Sequence, residues 1–517
     1  VTENKDIYKI IERVLLCVLI IFVLGFVWIY ADADINHYTV KMNSDIASET
    51  LVGISIYENG YTLPDTWCGS THKYIISTPN LEALLYPVTG YNMNLAMGIS
   101  CAVMMIALVG VMILYFRQIG LRGAEIFVAA GLALSLMKCG EDIHNMMYLY
   151  AEYYVSHLIT LFIIMMLYNS CLKKNKVSVP IIVFTVVLAV INGLQGMHAC
   201  LFCYAPLLGT EILRRFVLFI KKKKQDNFFI LGWVFGLFAI SFLATKFSGG
   251  YGLGASRNIR HAGEKFVEIV LPFLLEVISF DTAPVLAILF CVLAVCGYVM
   301  TAISLIKRND DEDDRAGFNR YSLFTMLFGV IICVLSSTFT TSEAAPRYYL
   351  MLVFVVAVGT AAFMNRFDKK YTMWIAVPVI VYMSIKGMYF YDDLIKSDNT
   401  KEYGGYLASE WMSERGYEYG YSTFDHANMI TVLSNNKVKI RPVNSMEEMQ
   451  GAKWLSDKNW YPPVKDAAGA TCYIVSKALE QDFEKFIERE NPVIEDTGNA
   501  GDYTIYVLDK DYTVWVD

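Results

Sequence analysis

The sequence predicts a polytopic α-helical membrane protein carrying a C-terminal α/β domain, and three observations predict it. Of 517 residues, 55% are hydrophobic and only 18% charged, and the mean hydropathy is +0.41. Apolar runs of ~18–20 residues recur, the length that crosses ~30 Å of hydrocarbon. From about residue 395 the chain turns polar, and short β-rich runs alternate with amphipathic helical patterns. These features predict a membrane module over 1–394, with a first external loop at 31–94, and a soluble external domain over 395–517. The net charge of −7 comes from acids gathered in the tail and one loop. Basic residues sit in short loops between apolar runs, so no nucleic-acid footprint is present.

About eleven spans are expected, over 13–30, 95–115, 124–140, 153–171, 179–193, 197–213, 228–245, 283–306, 322–338, 348–364 and 372–390. Lys and Arg in the short loops set the orientation. Arg117 and Arg122, then Lys173, Lys174 and Lys176, then Arg214, Arg215 and Lys221 to Lys224, then Arg366, Lys369 and Lys370 alternate with neutral or acid-containing loops. This places the N-terminus in the cytoplasm and the tail outside, at a plasma membrane of bacterial type. Ala31-Asp32-Ala33 mimics a signal cleavage site, but the run before it is longer than a signal core, so an uncleaved anchor is expected. The eleven cysteines form no paired framework, and most lie in spans as small apolar residues. Cys68 and Cys472 are expected outside, with no disulfide between them.

In the tail, helices are expected near 406–415 and 479–490, with β-rich runs at 437–440, 473–475 and 503–508. No nucleophile or metal motif is visible there, and Asp425-His426 reads as a solvated pair on a loop. The tail is therefore expected to be a folded cap on the external face.

The residues that carry chemistry cluster in the external loops. The segment from Asp45 to Pro79 follows the first apolar helix directly, and a carboxylate at such a place is a candidate for function. Asp45 and Glu49 are four residues apart on an expected helix and share a face. The apolar residues Ile46, Leu51, Ile54 and Ile56 suit that helix to lying along the membrane interface. One such carboxylate can accept a proton from a hydroxyl or amine, as a general base must. His72-Lys73 offers positive charge to a phosphate, although a lysine there also serves as an interfacial anchor. In the second external loop, Glu141-Asp142-Ile143-His144 suits a divalent metal, an acceptor, or simply a helix end at the water boundary. The glycine-rich loop ending in Arg257, Arg260 and His261 is basic although external, and flexible backbone with guanidinium groups suits a phosphate. Arg347 opens the tenth span between Pro346 and Tyr348-Tyr349. Its planar fork suits a phosphate best, and the tyrosines fit an interfacial belt.

Asp45, the gap to Gly60 and Pro64, the Lys73…Pro79 element and Pro346-Arg347-Tyr348 occur in an order that resembles the GT-C glycosyltransferases. The likeness is to the branch of the protein O-mannosyltransferases and the lipid A aminoarabinose transferase. The resemblance implies a GT-C-like membrane module and a sugar donor carried on polyprenyl phosphate. It also implies inverting transfer at the external face to a protein, glycan or lipid acceptor. It makes Asp45 the base, gives Arg347 the lipid phosphate, and matches Glu141 or Asp142 to the second external acid. Glu49, His72, Lys73, Arg257, Arg260 and Tyr348 become candidates for substrate contact. Two departures stand out. The branch has adjacent Asp-Glu where this chain has Ser44-Asp45-Ile46, and Tyr74 follows Lys73 where paired prolines are common. No cofactor is required, and a divalent metal is compatible. Two other readings stand beside the enzyme: a lipid-linked-sugar carrier or flippase, and a non-catalytic member of the family. A transporter calls for polar residues at mid-depth, which these spans mostly lack; a non-catalytic member would tolerate loss of Asp45.

Overall fold

A computed structural model describes residues 2–69, 73–138, 147–151, 153–222, 228–248, 256–307, 321–367, 372–462 and 467–516. The chain divides into two compact units. One comprises Val1–Tyr30 and Val103–Asp393, the other Ala31–Ala102 and Leu394–Asp517. The loop that carries Asp45 thus belongs to the same unit as the polar tail.

Each apolar run read as a span forms helix over most of its length. The reason is intrinsic: a buried or lipid-facing backbone must satisfy its N–H and C=O groups within the segment. Among the described residues, seven helices are long and apolar enough to cross a membrane: Ile10–Asn36, Met93–Gln118, Val155–Lys174, Phe228–Phe247, Pro284–Ile306, Pro346–Met364 and Met373–Lys396. Shorter apolar helices cover Ala124–Ser135, Val179–Leu194 and Leu323–Phe339. The chain is an integral membrane protein. In the first unit, Pro284–Lys307 crosses Met351–Met364 at a contact made by glycines. A Cβ on Gly297 would lie 2.1 Å from the Gly359 carbonyl oxygen. Small residues let backbones approach this closely, and that contact substitutes for the hydrophobic drive that lipid removes.

One topological marker changes character. Arg214 and Arg215, expected in a loop, lie on the helix Ala205–Ile220 and are buried. Glu211 accepts from Arg214 Nε at 2.8 Å, from Arg215 Nε at 2.7 Å and from the Tyr168 hydroxyl at 2.7 Å. The i, i+3 and i, i+4 spacing brings these charges onto one face, and pairing is what makes their burial tolerable.

The second unit is built on a five-stranded mixed sheet. Its spatial order is Lys439–Val443, Tyr419–Thr423, Ala467–Ser476, Tyr503–Asp511 and Ile494–Ala500. Tyr419–Thr423 runs parallel to both neighbours, and the other pairings are antiparallel. Helix covers both faces. Cys472 and Ile474 point into a core shared with Ala408 and Met412 of Gly404–Glu414 and with Ala427 and Ile430 of Phe424–Leu433. The alternate residues Tyr473 and Val475 pack with Phe483 and Phe486 of Glu480–Glu490. This is the period-2 alternation of a strand buried on both sides. Cys472 is consequently a core thiol.

Two expectations are corrected here. Asp425-His426 lies in the first turn of the helix Phe424–Leu433 and not in a loop; an acid there complements the helix dipole. The helix Ser44–Glu58 is not interfacial. It is buried along one unbroken stretch from Ile46 to Ile56, packed against Thr78–Leu85 and Phe424–Leu433. A helix that is apolar on most faces belongs inside a fold.

Candidate functional site

Asp45 stands in the first turn of Ser44–Glu58. Asn43 caps that helix, its side-chain oxygen accepting from the Ile46 N–H at 2.9 Å, which fixes where the turn begins. Asp45 is half-buried, and Glu49, one turn further, is 2% exposed. The Tyr74 hydroxyl donates to Glu49 Oε1 at 2.6 Å, so the residue after Lys73 orients the carboxyl behind Asp45. Burial and the neighbouring Asp45 charge push Glu49 up to about 8 against the pull of Tyr74. Glu49 therefore holds its proton at neutral pH.

Sequence reasoning missed a second buried acid. Glu82, on Thr78–Leu85, is 0% exposed, and neither carboxyl oxygen has a hydrogen-bond partner among the described residues. Burial, then the nearby Glu49, raises it well above the usual carboxylate range. Its carboxyl packs on Gly53, where a Cβ would come within 1.9 Å of Glu82 Oε2. No local pattern in the sequence distinguishes this glutamate, because its burial arises from the tertiary contact between two helices.

The basic candidates lie in the other unit. Arg347 sits on the short 3₁₀ turn Pro346–Tyr349, 5.8 Å from the Tyr348 ring centre, and its positive charge acts on the Tyr154 hydroxyl. Tyr154 in turn lies 3.3 Å from His198 Nε2. The His198 ring is 6.0 Å from Tyr348 and 6.1 Å from His157. One guanidinium, two imidazoles and two phenols thus converge. The sequence hides Tyr154 and His198 because nothing local marks either of them; only the tertiary contact with Arg347 and Tyr348 does. The exposed Arg257 segment pairs with the strand-like stretch before Arg347: Arg257 bridges Thr340, and the Asn258 N–H donates to the Phe339 carbonyl at 2.9 Å. Lys265 Nζ adds bonds to the carbonyls of Thr340 at 2.8 Å and Ser342 at 2.6 Å. Arg257 and Arg347 are thereby brought to connected backbone, while Arg260 is exposed at the following turn.

A further polar group lies at the far end of Met373–Tyr391. Lys386 is fully buried and donates to the Ser279 hydroxyl at 2.6 Å. Burial pushes Asp281 up, but the Ser279 hydroxyl and Lys386 outweigh it and hold that carboxyl below its ordinary range.

Lys73 is exposed beside buried Tyr74. His72, Glu141 and Asp142 lie outside the described residues. Among the described residues, no group of three or more His, Cys, Asp or Glu side chains is placed to hold a metal ion.

No family model and no curated relative matches the chain. Solved structures do. The oligosaccharyltransferase of Archaeoglobus fulgidus, in complex with Zn and sulfate, is 11% identical with a TM-score of 0.49 over 82% of this chain. The match spans 62% of that protein's length, less than two thirds of it. ArnT from Cupriavidus metallidurans, in the apo state, is 10% identical with a TM-score of 0.52, over 94% of this chain and 98% of that one. Identity this low speaks to architecture alone. Over nearly its whole length the chain shares the fold of ArnT.

Proposed function

We propose that the protein is a membrane glycosyltransferase that moves a sugar from a polyprenyl-phosphate donor to an acceptor at the external face, with inversion. The observation that carries this reading is the fold shared with ArnT over 94% of the chain, in a protein whose first span, ending at Asn36, is followed by the helix that carries Asp45. In the proposed reaction an acceptor hydroxyl or amine attacks the anomeric carbon while its proton passes to an Asp45 carboxylate oxygen. The bond from that carbon to the phosphate oxygen breaks, and its electron pair leaves with the polyprenyl phosphate. Arg347 holds that phosphate as charge develops, with the Arg257 segment adding positive potential nearby. Hydrogen-bond donors and cations aimed at developing charge supply much of the rate enhancement in many enzymes.

Glu49 fits a supporting role in this scheme. Held neutral, it adds no second charge next to Asp45, and the scheme gives the proton-accepting role to Asp45. Attack from the face opposite the phosphate produces the opposite anomeric configuration. The test is a transfer assay with purified protein, a polyprenyl-phosphate sugar and a membrane fraction as acceptor, reading the anomeric configuration of the product by NMR. Inversion is expected, together with loss of product in Asp45→Asn. A retained configuration, or undiminished transfer by that variant, removes the mechanism.

A further inference from the structure

The second unit holds a cavity of about 730 Å³ that the transfer chemistry does not use. Its size lies within the ~300–1,000 Å³ usual for small-molecule sites. Its walls come from Thr39, Val40 and Met42, from Thr400, Glu402 and Tyr403, from His426 and Met429 of the helix Phe424–Leu433, and from the ends of two strands. A chain of hydroxyl and imidazole groups runs along it. Tyr403 and Tyr503 share a hydrogen bond of 2.6 Å between their hydroxyls, and the Tyr503 oxygen lies 2.9 Å from His426 Nδ1. The Thr39 and Thr400 hydroxyls meet at 3.2 Å. Such groups both donate and accept, as the hydroxyls of a polyol do.

The charges argue against an anion. Among the described residues, Lys477 is the one Lys or Arg in the lining, and its ammonium is already bound to Asp502 at 2.7 Å. Glu402 adds a second carboxylate to the wall. Burial lowers His426 against the opposing charge of Asp425, so no imidazolium compensates at neutral pH. Val40, Met42 and Met429 supply apolar surface of the kind that packs against the C–H face of a sugar ring. We propose that this cavity is a binding site for a saccharide that carries no acidic group. The site is independent of the transferase reading: it requires only that the unit folds as described.

The experiment is saturation-transfer-difference NMR on the full-length protein in detergent, with glucose, mannose and N-acetylglucosamine as probes and glucuronic acid as the charged control. At least one neutral sugar is expected to bind in the millimolar range or tighter, with glucuronic acid at least tenfold weaker. Tyr503→Phe, which removes the central hydroxyl, and Val40→Trp, which fills the cavity, are each expected to weaken binding tenfold or more while the protein still unfolds cooperatively. Arg347→Ala is expected to leave it unchanged. No binding by any neutral sugar, or equal binding of glucuronic acid, overturns the proposal. So does undiminished binding in both cavity variants. Loss of binding in Arg347→Ala assigns the sugar to the proposed transfer site and overturns it as well.

Discussion

Glu49 and Glu82 occupy positions where a carboxyl stays neutral, and that has a measurable signature. The folded state holds the Glu49 proton up to about pH 8 against an ordinary value of 4.5. Between those two values the unfolded chain binds fewer protons than the folded one, so stability falls as pH rises through that window. Glu49→Gln removes the titration while keeping a hydrogen-bond acceptor for Tyr74. Thermal unfolding of this variant is expected to be flatter between pH 5 and 8 than that of the wild type, with Asp45, Glu82 and Tyr74 as the groups that still face the site. An identical pH profile in the two proteins would remove the buried-acid account. Arg347 carries the other prediction at this scale. A charge-assisted hydrogen bond contributes ~1.5–3 kcal/mol, so Arg347→Ala is expected to weaken donor binding by about 10- to 100-fold. Arg347→Lys should recover only part of it, since an ammonium lacks the planar fork. Titration of donor into detergent-solubilised protein decides this, and an unchanged affinity would strip Arg347 of the role.

The packing of Ser44–Glu58 against Thr78–Leu85 rests on Gly53. A methyl group there would collide with the Glu82 carboxyl at 1.9 Å, and overpacking of this kind costs ~1–3 kcal/mol. Gly53→Ala is expected to lower the thermal midpoint by several degrees, and the double variant Gly53→Ala, Glu82→Ala to recover part of the loss; equal midpoints in wild type and Gly53→Ala would refute the contact. Elements of this kind mark where the sequence was legible. Apolar runs of spanning length announce their helices because length and hydropathy are local properties. The strand at 503–508 and the helix at 479–490 were equally plain from their periods. Tyr419–Thr423 and Ile494–Ala500 were not, since the first is short and glycine-containing and the second is rich in Asp, Asn and Gly. Asp45, Glu49 and Arg347 could be singled out by their position beside apolar runs. Glu82, Tyr154 and His198 could not, because tertiary contact alone sets them apart. The burial of Ser44–Glu58 was hidden for the same reason: its covering helix Phe424–Leu433 comes from the far end of the chain.

Across the whole molecule, the alternation of basic loops predicts that the polar tail and the Asp45 segment share the external side. A single cysteine placed at Asn491, in the exposed turn after Glu480–Glu490, should react with a membrane-impermeant maleimide on intact cells. One at Lys174, at the exposed end of Val155–Lys174, should react only after lysis. The reverse pattern would invert the topology and place the proposed chemistry on the wrong face of the membrane. The grouping of 31–102 with 394–517 in one unit makes a further demand: whatever side the tail occupies, the Asp45 segment occupies too.

The most direct test of the proposed glycosyltransferase is to purify wild-type protein and Asp45→Asn in mild detergent and identify the lipids that accompany each by mass spectrometry. A variant that binds donor but cannot remove the acceptor proton should accumulate a polyprenyl-phosphate sugar, whose mass also names the sugar. Bulk phospholipid alone in both preparations, with detergent exchange shown to retain added polyprenyl phosphate, would contradict the account.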